Sequence, residues 1–109
     1  ITLATEFLPY TKEKGIGLIN ASPFSMGLLS NRGPPSWHPA PERIREPCRK
    51  AAEYCQSQGV DISRLALQFS LSNTEIPTTL FSSADLKRTK ENIDAIHQPL
   101  TLNEQKVMN

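Results

Sequence analysis

Apolar residues in this chain fall in short groups whose spacing is of two kinds. Ile44, Cys48, Ala51, Ala52 and Cys55 recur at i, i+4, i+7, i+8 and i+11, the stripe that one face of an α-helix turns toward a core. Gly59 predicts the end of that helix, and Pro47 is expected to kink or restart it. Asp61 stands before Ile62, Leu65, Ala66 and Phe69, which predicts an N-cap and a second helix closing near Asn73. A shorter helix is predicted over 5–14, with Phe7, Leu8 and Tyr10 as its apolar positions and Gly15 beyond its end. Pro9 sits in its first turn or kinks it. Leu86, Ile93 and Ile96 share a stripe on a further helix, which Ser82 or Ser83 is expected to cap. Thr101 and Glu104 form a capping box for a last helix that runs to Asn109.

Two groups break this pattern. Residues 16–21 and 76–81 are brief and rich in branched side chains, and both stand between breakers or polar loops. Length and flanks favour buried strands over helices. Pro77 is tolerable near the start of the second, where it need donate no ladder bond. The order is then helix, strand, long loop, two helices, strand, helix, helix, an α/β pattern in which a helical crossover joins two parallel strands. Parallel sheets are normally covered on both faces by further units. Further strands are therefore expected on the N-terminal side, and a chain that starts at Ile1 rather than Met reads as a piece of a longer domain.

Composition changes this picture little. The 109 residues are 38% hydrophobic and 21% charged with a net charge of +1, ordinary values for a soluble globular domain. Such a balance argues against nucleic acid or an anionic membrane as the main partner. No run approaches the roughly 18 apolar residues of a membrane span, and the N-terminus lacks a signal pattern. Cys48 and Cys55 lie seven apart on one helix, about 10 Å along its axis and too far for a disulfide. Reduced thiols fit a cytoplasmic location. His38 and His97 sit alone in unrelated segments, so no metal site is expected.

Candidate chemistry gathers where the two strands end. After the first, Ser22 to Gly27 could wrap an anion with its amides and the Ser22 and Ser25 hydroxyls, although a Ser-Pro turn is more often only a turn. After the second, Ser82 and Ser83 precede a helix whose Arg88 and Asn92, four apart, share a face. A guanidinium there can stack on a base or hold a phosphate. The competing reading is a solvated basic face of Lys87, Arg88 and Lys90, with Glu91 and Asp94 as surface charges. Gly15-Ile-Gly17 is no dinucleotide fingerprint, because its glycines precede the strand. Residues 31–41 hold four prolines with Trp37 and His38 and read as a long ordered loop.

Asn20-Ala-Ser-Pro-Phe-Ser-Met-Gly-Leu-Leu29, Gly33-Pro-Pro-Ser-Trp-His-Pro39, Leu65-Ala-Leu-Gln-Phe-Ser-Leu71 and Lys90-Glu-Asn92 together resemble the C-terminal part of the aldo-keto reductases. The likeness covers nearly the whole chain in order. It implies that residues 1–109 are a C-terminal fragment of one (β/α)8 TIM-barrel domain, supplying strands 7 and 8 with their helices. It also implies an NAD(P)-dependent oxidoreductase that moves hydride between nicotinamide and a small aldose or aldehyde.

By the same resemblance, Ser22, Pro23, Phe24 and Met26 lie along the cofactor's pyrophosphate and ribose, while Ser82, Ser83, Arg88, Glu91 and Asn92 surround the adenosine. The loop carrying Trp37 corresponds to one bordering the cofactor and substrate pocket. Many members have a tyrosine where Ala21 stands, and many NADP-preferring members have a lysine or another polar group at Ser82. The choice between NAD and NADP therefore stays open, and a 2′-phosphate would rest on Arg88 and Lys87. The family's catalytic Asp, Tyr, Lys and His have no counterparts in this chain, so the segment alone is expected to be inactive. The alternative is a truncated or inactive member that keeps only an interaction surface.

Overall fold

The computed structural model describes residues 2–109. A wide π-helical turn at Leu3–Phe7, closed by the Leu8 N–H on Leu3 O, runs into helix α1 (Leu8–Glu13), with Pro9 in the first turn of α1. Strand β1 (Ile19–Ala21) follows, then a 3₁₀ turn at Ser25–Gly27 and the proline-rich loop. Helices α2 (Glu42–Ser57) and α3 (Ile62–Leu71) lead to strand β2 (Thr78–Leu80), and helices α4 (Leu86–His97) and α5 (Leu102–Met108) complete the order. The strands pair in parallel, Ile19 with Thr78, Asn20 with Thr79 and Ala21 with Leu80.

Pro47 does not restart α2, which continues through it as one helix of 16 residues. The carbonyl that loses its partner belongs to Arg43, and both residues face solvent, so water can take the missing bond. Asp61 caps α3 as expected, its Oδ1 accepting the Ser63 N–H at 2.9 Å. The core lies where these helices meet: Ala52, Cys55, Val60, Ile62 and Leu65 are buried together, with Leu29, Leu100 and Val107 packed on their edge. Burial, then the charge of Asp61, pushes the Cys55 thiol up and keeps it protonated. Cys48 and Cys55 are both free.

Two expectations about burial fail. Ile19 is 62% exposed and Leu80 54%, so the strands are not buried, because among the described residues no element covers that face of the pair. On α4, Leu86 is 85% exposed and Ile93 and Ile96 are also exposed, leaving Ala95 as the buried residue of the helix. Packing on α3 through small Ala95 turns the larger stripe outward.

Polar side chains of α3 hold the C-terminal helices. Gln68 Nε2 donates to the carbonyls of Ala95 and Gln98, the latter at 3.1 Å. Arg64 Nη2 reaches the carbonyls of Gln98 and Pro99 at 3.1 and 3.0 Å, and its Nε meets Glu104 Oε1 at 2.6 Å. Glu104 also completes the expected capping box with Thr101. Burial raises the pKa of Glu104, but the Thr101 amide and the Arg64 guanidinium outweigh it and hold the carboxyl below its ordinary value.

Candidate cofactor site

The two strands place their following loops side by side. Ser22 donates its N–H to Leu80 O at 3.1 Å, extending the ladder by one bond beyond β1. The Phe24 and Phe81 rings then meet edge to face at 6.2 Å, a favourable aromatic geometry. Between these loops and the start of α4 lies a cleft of about 1350 Å³.

Every residue predicted for the cofactor lines that one cleft: Ser22, Pro23, Phe24 and Met26 from the first loop, and Ser82, Ser83, Arg88, Glu91 and Asn92 from the second. They come together although some sixty residues separate the two sets, because parallel pairing brings both carboxyl ends to the same edge. The volume exceeds the roughly 300–1,000 Å³ of common small-molecule sites, so a dinucleotide is not too large for it.

The first loop is tightly wound. Ser22, Ser25 and Met26 have φ of 58°, 47° and 50°, and Gly27 has 94°. A Cβ on Gly27 would lie 3.0 Å from Gly33 O and 3.3 Å from Pro34 Cα. The close approach that glycine permits is therefore to the chain's own proline-rich loop. Ser25 N–H goes to Ser22 O and Gly27 N–H to Phe24 O, which corrects the picture of a loop wrapping an anion with all its amides. The Phe24 and Met26 N–H groups and the Ser22 and Ser25 hydroxyls are what the loop has left to offer.

The second loop corrects another expectation. Neither Ser82 nor Ser83 caps α4; Asp85 does, its Oδ1 accepting the Lys87 and Arg88 amides at 2.8 and 3.3 Å. Ser83 Oγ instead bonds the backbone N–H and C=O of Asp85, a local turn that a hydroxyl two residues upstream commonly makes. A carboxylate is a stronger acceptor for amides at a positive helix end than a hydroxyl. The helix N-terminus is thus engaged by the protein's own anion. What this side presents to a ligand is the Arg88 guanidinium, 4.0 Å from Asp85, the Asn92 amide, and Glu91, which faces Lys87 at 3.8 Å.

Sequence reasoning passed over Ser30, Arg32 and Arg64, which also line the cleft. Arg32 follows the loop by only a few residues, which is the signal that was available; Arg64 lies on α3, and only the tertiary fold brings it there. Among the described residues no group of three or more His, Cys, Asp or Glu side chains could hold a metal ion, and no helix is long and apolar enough to cross a membrane.

Over 91 residues, or 84% of the chain, the sequence is 44% identical to an L-galactose dehydrogenase of Arabidopsis thaliana, of which that stretch is 28%. Over 53 residues, or 49% of the chain, it is 42% identical to a D-arabinose 1-dehydrogenase of Saccharomyces cerevisiae, covering 16% of that protein. The chain thus matches about a quarter of the first relative's length and less of the second. The two parallel strands and five α-helices among the described residues are compatible with part of a (β/α)8 barrel. The model of the aldo/keto reductase family matches residues 3–108, and the chain belongs to that family.

Proposed function

We propose that this chain is the cofactor-binding C-terminal part of an NAD(P)-dependent sugar or aldehyde oxidoreductase, with β1 and β2 as strands 7 and 8 of its barrel. The observation that carries the reading is the convergence of nine residues from two strand-end loops on one cleft. In (β/α)8 enzymes that end of the strands holds the active site, and loops after strands 7 and 8 commonly hold phosphate. Bound there, the nicotinamide cofactor supplies the hydride acceptor or donor.

The chain's own residues bind and orient. The Ser22 and Ser25 hydroxyls and the Phe24 amide contact the pyrophosphate, with Pro23 and Met26 walling the ribose. Ser82, Ser83, Arg88, Glu91 and Asn92 hold the adenosine end, the planar guanidinium of Arg88 serving as base platform or phosphate partner. The substrate is an aldose, in keeping with the names of both relatives, and the proton-transferring side chains lie outside residues 1–109. A reducing cytoplasm suits its two free thiols.

The test is fluorescence titration of the whole protein with NAD⁺ and NADP⁺, together with turnover on a panel of aldoses. Arg88→Gln should weaken dinucleotide binding by about tenfold, the loss of one charged hydrogen bond of about 1.5 kcal/mol or more. A larger loss for NADP⁺ than for NAD⁺ would assign Arg88 to the 2′-phosphate. Absence of turnover with every aldose and aldehyde would refute the enzymatic reading. The exposed Ile19, Leu80, Phe69 and Leu86 favour a second reading, an inactive member that acts through its apolar surface; dinucleotide binding without turnover would support it.

A further inference from the structure

His38 is buried to 8% exposure in a loop of prolines, and both of its ring nitrogens are used. Nε2 lies 3.2 Å from Ser25 O, and Nδ1 accepts the Ala40 N–H at 3.1 Å. Because a nitrogen that accepts cannot also carry the proton, this pattern assigns the N–H to Nε2, which donates to Ser25. The backbone around the ring is tied down in turn. His38 N–H bonds Pro35 O at 3.0 Å, and Arg45 Nη2 on α2 reaches the same carbonyl at 3.4 Å. An unbroken line of hydrogen bonds therefore runs from α2 through Pro35 and His38 to Ser25.

Ser25 needs such an anchor. Ser22, Ser25 and Met26, none of them glycine, all have left-handed φ. Each is a strained conformation that persists only where the surroundings over-determine it. Gly27 O, held by Ser30 Oγ at 2.8 Å, fixes the far end of the turn, and His38 fixes its middle. Without the ring, the Ser25 carbonyl would keep the Leu28 N–H at 3.2 Å as its remaining partner, and the turn that carries the Ser25 hydroxyl would loosen.

We propose that His38 is a positioning residue: it holds the Ser22–Gly27 turn in the strained shape that receives the dinucleotide's pyrophosphate, touching neither cofactor nor substrate itself. This rests on the cofactor reading given above. Coupling of this kind is reciprocal, so the cofactor should tighten the same hydrogen bonds that His38 uses to shape the turn.

The experiment uses the whole protein as wild type, His38→Phe and His38→Gln. Phenylalanine fills the ring's place without either nitrogen, and glutamine restores one donor for Ser25. His38→Phe should raise the KM for the dinucleotide about tenfold, as expected when the ring's two hydrogen bonds are lost and only in part replaced by water. The KM for sugar and kcat at saturating cofactor should stay within about twofold, because the mutation acts on a cofactor contact alone. His38→Gln should recover most of the loss. Hydrogen exchange at the Leu28 and Leu29 amides, which close the turn, should speed up in His38→Phe and return toward wild type in His38→Gln.

An unchanged dinucleotide KM in His38→Phe, or an equal rise in both KM values, overturns the proposal. Wild-type exchange keeps it testable should His38→Phe not fold: saturating dinucleotide should slow exchange of the Ala40 amide that His38 Nδ1 receives, and no slowing overturns the coupling. Wild-type protein that binds no dinucleotide refutes the cofactor reading itself, a failure recognisable before any variant is made.

Discussion

Gly27 answers two demands, a φ of 94° and the carbonyl of Gly33 at 3.0 Å from any Cβ. Gly27→Ala should destabilise the chain by about 1–3 kcal/mol, because it adds left-handed strain to a backbone clash, and urea unfolding will read it. The glycine was legible in the sequence, but its left-handed neighbours were not: Ser and Met carry no mark for positive φ, and only tertiary contacts impose it. Asp85 is the converse case. It stands immediately before the apolar Leu86, in the N-cap place, but serine shares the N-cap preference of aspartate, so residue type alone does not choose between Asp85 and the serines upstream. Asp85→Ala should cost about 1 kcal/mol of stability, whereas Ser82→Ala should be close to neutral; equal effects from the two would deny the observed cap.

Helices declare themselves through periodic spacing, and among the described residues each α-helix lies on a stretch where spacing put one, although α4 starts from Asp85 rather than from the serines. Spacing cannot say what covers a stripe, which is why Leu86, Ile93 and Ile96 could be aligned correctly and still face outward. Nor could it show that α3 carries the polar anchors Arg64 and Gln68 for the end of α4 and the start of α5, contacts that span 27 to 40 residues of sequence. Glu104 makes this junction sensitive to acid. Its folded pKa lies below the ordinary 4.5, so its contribution is fully present above that value and disappears as pH falls through the folded pKa. Stability measured by denaturant should therefore decline below about pH 4.5 more steeply in wild type than in Glu104→Gln. Glu104→Ala should cost about 3 kcal/mol at neutral pH, since it leaves the part-buried Arg64 without its partner. A wild-type profile parallel to that of Glu104→Gln would remove Glu104 from the account.

At the scale of the molecule, the order of elements and the parallel pairing followed from two short apolar runs separated by helices, and so did the meeting of the two loops. The open face of the strand pair did not follow, because branched residues in a short run signal burial without naming the layer that provides it. Ile19 and Leu80 lie on one face of the pair, and Phe69, Leu86 and Leu102 are exposed elsewhere, while among the described residues the buried apolar side chains are Leu8, Leu28, Ala52, Cys55, Val60, Ile62, Leu65, Leu67 and Ala95. A core this small leaves little margin over chain entropy, and two-stranded sheets are marginal without a covering layer. The 109 residues prepared alone should bind an apolar dye such as anilinonaphthalene sulfonate, unfold over a broad temperature range by circular dichroism, and bind NAD⁺ or NADP⁺ far more weakly than the whole protein. The reason is that strain at Ser22, Ser25 and Met26 persists only on a rigid support, and here the strands below the loop are open on one face. A sharp melt with dinucleotide affinity equal to that of the whole protein would mean that the two strands and their helices hold the cleft unaided.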